Sequence, residues 1–121
     1  MSLSKPELEF QPPLNDWRPA ASQAAGVWER ILSLDPVTGD CSRLVRWERG
    51  VDTSGDGALT HDFWEEVYIV SGDLTDLRLN QRFTAGMYAC RPPGMVHGPW
   101  KSDQGALMVE FRYAEKTTGR L

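Results

Sequence analysis

From Gly26 onward, this chain of 121 residues never sustains the apolar period of an amphipathic helix. Its apolar, β-branched and aromatic residues come in short runs, each ended by glycine, proline or a small polar residue. Val27 to Leu34 reads as a strand closed by Asp35-Pro36-Val37-Thr38-Gly39-Asp40, where an early proline and a late glycine suit a tight reversal. Cys41 to Trp47 is the next strand. Arg49 to Gly57 is a loop, since three glycines in nine positions would weaken any ladder. The stretch Leu59 to Gly72 supplies a strand or two ending at Ser71-Gly72-Asp73. Alternation from Leu74 to Asn80 predicts a further strand, with a turn at Asn80-Gln81. Met87 to Arg91 and Ala106 to Tyr113 follow, separated by the breaker Pro92-Pro93-Gly94 and by His97-Gly98-Pro99-Trp100. Many short strands with little helix mean a β-sandwich or barrel.

The barrel is expected over residues 26–114. It is preceded by a proline-rich arm (1–25), in which Ala20 to Ala25 has the composition for one helical turn, and followed by a polar tail (115–121). The arm spaces Leu8, Phe10, Leu14 and Trp17 among polar residues, as a segment laid on its own or a neighbouring subunit would.

Charge narrows the partners. The net charge is -4, the pI is about 5.1, and Lys and Arg are scattered, so the chain lacks the positive footprint of a nucleic-acid binder. No apolar run is long enough to span a bilayer, and the N-terminus lacks the apolar core of a secretion signal, so a cytoplasmic protein is expected. Cys41 and Cys90 form no CxxC pair and read as small buried apolar residues, not a disulfide.

In an extended strand Leu59, His61, Phe63, Glu65, Val67 and Ile69 share one face. An imidazole and a carboxylate directed into an apolar interior require either a metal ion or a buried hydrogen bond. Tyr88 and Arg91 fall on opposite faces of their strand, and one of them is the polar group that looks inward.

Gly86, Pro92, Gly94 and His97 stand at the spacing G-x5-P-x-G-x2-H, and His61, Glu65 and Gly72 at H-x3-E-x6-G. On these residues the chain, over roughly residues 40–113, resembles a small single-domain cupin of the RmlC-like type. It is most similar to the ChrR-like group. It departs from the pattern at three places: Leu59 replaces the first histidine, Thr53 the opening glycine and Lys101 the closing asparagine. The resemblance implies a double-stranded β-helix, that is, a jelly-roll barrel, with His61, Glu65 and His97 as ligands of a divalent ion. Mixed nitrogen and oxygen donors suit Fe, Mn, Ni, Co or Zn without distinguishing them. Leu59 has no lone pair to offer. Glu66 fits the family's longer spacing, but strand parity favours Glu65. The only two histidines of the chain thus fall on two ligand positions.

Three functions follow from the resemblance. One is a metal-dependent enzyme acting on a small chelating carbonyl compound, as a dioxygenase or a Lewis-acid isomerase or lyase, with Tyr88 or Glu66 as acid–base groups. Another is a ligand-binding or sensor module, since ChrR-like cupins also occur attached to anti-sigma factors, although 121 residues leave no room for the helical zinc-binding domain found there. The last is a metal-free cupin whose site has decayed at Leu59. Trp100, three residues after His97, is a candidate substrate platform. The arm and the open sheet edges predict a homodimer.

Overall fold

The computed structural model describes residues 5–22 and 24–115. Within them lie eight strands: β1 (Arg18–Pro19), β2 (Val27–Leu34), β3 (Cys41–Trp47), β4 (Phe63–Asp76), β5 (Gln81–Thr84), β6 (Tyr88–Arg91), β7 (Trp100–Lys101) and β8 (Ala106–Ala114). The only helical element among the described residues is a single 3-10 turn at Ser54–Asp56. All pairings are antiparallel, in the order β1-β2-β3-β8-β4-β5, with β6 and β7 also pairing on β4. This is the expected all-β jelly roll.

Strand β4 is the hub. Its first half lies between β8 and β6, and its last residues, Asp73 to Asp76, pair with β5 and β7. One strand therefore passes from one sheet into the other. The pairing with β8 slips between Ile69 and Ser71, and Gly72 sits at φ 83° opposite Ala106. Bulges of this kind bend a strand without ending it. The expectation of a turn at Ser71-Gly72-Asp73 is corrected accordingly: the strand is continuous for 14 residues. The reversal falls at residues 77–80, with Asn80 at φ 53°, rather than at Asn80-Gln81. Nor do the described residues of 20–25 form a helical turn; the Ala20 amide instead donates to the Val27 carbonyl at 2.9 Å.

The pleat sorts side chains as its period requires. Strand β3 buries Cys41, Arg43, Val45 and Trp47; β8 buries Ala106, Met108 and Glu110. With Val27, Val51, Val67, Ile69, Leu74 and Trp100, the apolar members form the core between the sheets. On β6, Ala89 and Arg91 turn inward and Tyr88 and Cys90 outward. Both cysteines are free, but only Cys41 is buried; the expectation for Cys90 fails because the pleat puts it on the outer face. Residues 5–17 have no regular structure. They touch β2 and β3 through Lys5 on Ser42, Asp16 on Arg30 and the Trp17 ring under Arg46, while Phe10 is 98% exposed. All but the first residue of the expected tail lies outside the described residues. Among the described residues, no helix is long and apolar enough to cross a membrane.

Candidate metal centre

Three segments bring His61, Glu65 and His97 together. Glu65 lies on the inward face of β4, and its side chain is 5% exposed. His61 lies just before β4, its ring stacked on Phe63 with centroids 4.5 Å apart. His97 comes from the loop between β6 and β7. Backbone hydrogen bonds fix that loop: the Gly94 amide donates to the His61 carbonyl at 2.8 Å, and Leu59 and His97 exchange bonds of 2.8 and 2.9 Å. The proline-glycine breaker thus returns the chain so that the two imidazoles meet, with ring centroids 4.8 Å apart.

Nε2 of His61 lies 3.9 Å from one Glu65 oxygen, and Nε2 of His97 lies 3.9 Å from the other. One donor atom from each of the three residues lies within 4.8 Å of the others. These gaps are too long for hydrogen bonds. Nδ1 of His97 is 3.1 Å from the Met95 carbonyl, which can only accept, so in the neutral ring the proton is on Nδ1. Nε2 therefore carries a lone pair aimed at the cluster. An outer hydrogen bond that fixes the tautomer is a common feature of metal-binding histidines. The residues present fit a divalent ion.

Electrostatics favour the same protonation states. Burial pushes both histidines below their ordinary value, outweighing Glu65 for His61 and the Met95 carbonyl for His97. Burial alone would raise the Glu65 carboxyl, but Arg112 and Arg91 outweigh it and hold it below the usual range. A depressed histidine stabilises the fold fully above its unfolded value, about 6.5, and that contribution is lost as pH falls towards the folded value. Urea midpoints of the metal-free protein are therefore expected to be level above about pH 7 and to decline below about 6.5. In a His61→Ala, His97→Ala double variant that decline should be blunted; an unchanged slope would assign it to other groups.

The cluster faces a cavity of about 290 Å³ between the sheets, bordered also by Leu59, Trp47, Met108, Trp100 and Arg43. Leu59, at the place of the family's first histidine, contributes backbone bonds and a cavity wall, and no donor atom.

The model of the ChrR cupin-like domain matches residues 9–114. The chain belongs to that family. Among solved structures, this cupin is similar to an acetylacetone dioxygenase from Acinetobacter johnsonii, with a TM-score of 0.71 at 14% identity over 90% of this chain and 74% of that one. An RmlC-like cupin from Shewanella frigidimarina gives 0.69 at 15% identity, covering 94% and 97%. The anti-sigma factor ChrR from Rhodobacter sphaeroides, solved in complex with SigE, gives 0.61 at 19%, covering 82% and 51%. At such identities the likeness is one of fold. No curated protein sequence matches the chain.

The structure does not bring the two expected acid–base groups of this cupin to the cluster. Glu66 is on the opposite face of β4 from Glu65, where its carboxylate accepts hydrogen bonds from the hydroxyls of Tyr88 and Tyr113. These bonds hold Glu66 low and raise Tyr113 to about 12. All three side chains are occupied with one another on the outer surface, so the inward polar residue of β6 is Arg91, not Tyr88.

Sequence reading missed what holds Glu65. Arg91 on β6 and Arg112 on β8 stand directly opposite it in the two ladders. Arg91 Nη1 donates to one oxygen and Arg112 Nε to the other, each at 2.9 Å. A carboxylate accepting one bond at each oxygen retains lone pairs for an ion. Beyond Arg112 the alternation of charge continues across the sheet. Glu110 lies 4.0 Å from Arg112 and 2.7 Å from Arg43; Glu29 takes Arg43 at 2.6 Å and Arg18 at 2.9 Å. Seven side chains on six neighbouring strands thus alternate in sign from Arg18 to Arg91. The available signal was the inward parity of Arg43 on β3 and of Glu110 and Arg112 on β8.

Proposed function

We propose that this cupin is a metal-dependent protein whose His61, Glu65 and His97 hold a divalent ion, acting on a small chelating carbonyl compound in the cavity between the sheets. The observation that carries the reading is the convergence of two imidazoles on one buried carboxylate, with the free Nε2 of His97 directed at it. When bound, the ion supplies Lewis acidity towards a chelating carbonyl and, if it is iron, redox chemistry with dioxygen. The protein's own part is positioning. Arg91 and Arg112 keep Glu65 ionised and fixed; the Met95 carbonyl holds the His97 ring; Trp47, Met108 and Trp100 make the surrounding wall apolar. The acetylacetone dioxygenase fold neighbour supports a dioxygenase-like reaction within this class. Metal analysis of protein purified without chelator or a nickel column is expected to find one divalent ion per chain. Oxygen uptake with a panel of β-diketones and flavonols then separates dioxygenase from Lewis-acid chemistry. Loss of metal without loss of fold in His97→Ala would support the assignment; metal-free wild-type protein would end it.

Leu59 favours a second reading, a ligand-binding or sensor cupin, because it reduces the donor set to three. Leu59→His is expected to restore a fourth donor and raise metal affinity at least about tenfold, by analogy with the effect of supporting residues on metal sites. Isothermal titration with Mn(II) or Zn(II) checks it, and unchanged affinity would show that position 59 does not face the ion. A homodimer belongs to the same proposal. The outer face of β4, β6 and β8 exposes Tyr68, Tyr88 and Phe111, and sedimentation velocity would test it.

A further inference from the structure

A second cavity, of about 140 Å³, lies behind the metal-site candidate. Its walls are Ile69, Leu79, Phe83, Met87, Ala89 and Met95, together with five side chains that also border the larger cavity: Val67, Leu74, Arg91, His97 and Trp100. Apart from Nε2 of His97, which is directed at Glu65 and the cluster, the polar groups around it are already engaged. Asp76 accepts the amides of Arg78, Leu79 and Gly98. Arg78 donates to the Val96 carbonyl at 3.2 Å. Arg91 is held by Glu65 and lies 5.1 Å over the Trp100 ring, and the Tyr88 hydroxyl is on Glu66. What remains to meet a ligand is hydrocarbon, sulfur and aromatic surface. The rim reaches solvent, since Leu79, Met87, Met95 and Val96 are each between 42% and 52% exposed.

An apolar cavity of about 150 Å³ is enough to take a benzene ring. We propose that this cavity seats the hydrocarbon substituent, ring-sized or a short branched chain, of the same molecule whose oxygen end lies at the His61–Glu65–His97 cluster. The inference rests on the metal-site reading for the oxygen end and, for the reach of one molecule to both, on the adjacency of the two cavities, which His97, Arg91 and Trp100 border in common. It names the substrate class as a chelating dicarbonyl bearing one apolar substituent, in preference to a small fully polar one.

Methionine methyl resonances make the two cavities separately visible: Met87 and Met95 line the apolar one and Met108 the larger one. In full-length protein carrying 13C-methyl methionine, toluene is expected to shift Met87 and Met95 saturably and to leave Met108 in place. Acetylacetone should shift Met108 alone, and 1-phenyl-1,3-butanedione all three, binding at least about tenfold tighter than acetylacetone, as burial of a ring predicts. Ala89→Leu should abolish the toluene response, and Val96→Phe at the half-exposed rim gives the same reading if Ala89→Leu does not fold. His61→Ala should lose metal yet keep the toluene response. Toluene failing to move Met87 and Met95, the response surviving both filling variants, or the aryl diketone binding no tighter than acetylacetone would overturn the proposal. Toluene binding to wild-type protein that takes up no metal would instead count against the metal site alone.

Discussion

Glu65→Ala is expected to lose metal binding and to destabilise the fold by about 3–5 kcal/mol, the usual cost of removing one partner of a buried charge group. The cause is the arrangement around it. Arg91 and Arg112, 11% and 29% exposed, would face each other across an empty place with no counter-charge between them. Two imidazoles would stand beside them, unable to compensate without an acid. Urea denaturation at pH 7.5 measures the loss. Converting Arg91, Glu65 and Arg112 together to apolar residues of similar volume should recover most of the stability, because no charge is then left unpaired, while metal stays unbound. If Glu65→Ala unfolds within about 1 kcal/mol of wild type, water already compensates the arginines and the clamp contributes little.

The second large effect lies at the bulge. A Cβ built on Gly72 would stand 1.8 Å from the Gly105 carbonyl oxygen and 2.8 Å from the Ala106 Cα, and φ there is 83°. Both obstacles are backbone, so no side chain can swing aside. Gly72→Ala is expected to cost more than about 4 kcal/mol or to prevent folding, a size reserved for a few mechanisms of which this is one. Gly86→Ala is the control. Its φ is 87° but nothing lies within 4 Å of the added carbon, leaving only the conformational cost of about 1–2 kcal/mol. Comparable losses at the two positions, read by thermal or urea unfolding, would mean that the close approach of β4 to Gly105 is absent in solution.

The two glycines also show what sequence reading reaches. Gly72 and Gly86 look alike in the chain, each at a motif position and each the glycine of a short turn-like stretch. Pattern alone assigned Gly72 to a turn. It is a bulge within one 14-residue strand, because whether a left-handed glycine reverses the chain or bends it depends on what pairs alongside. Here β8 continues to pair through Gly72, so the strand does not end. The error at Cys90 has a related origin: composition favours burial of a cysteine, whereas the register of β6 against β4 decides its face.

The sequence by itself determined the all-β class, the bounds of β2 and β3, and the three residues whose donors converge, because these depend on local period, turn chemistry and motif spacing. Tertiary structure alone decided which groups surround them. Parity puts Glu65 on the face of His61 and assigns Arg91, Arg112, Arg43 and Glu110 each to one face of its strand, but it does not say that β6, β4, β8 and β3 lie side by side in a register that sets opposite charges against each other. Strand order is a long-range property, since residues 43 and 110 become neighbours only when the sheet assembles. The same assembly removed Tyr88 and Glu66 from the cavity and opened an apolar pocket behind His97, which no run of residues along the chain could reveal.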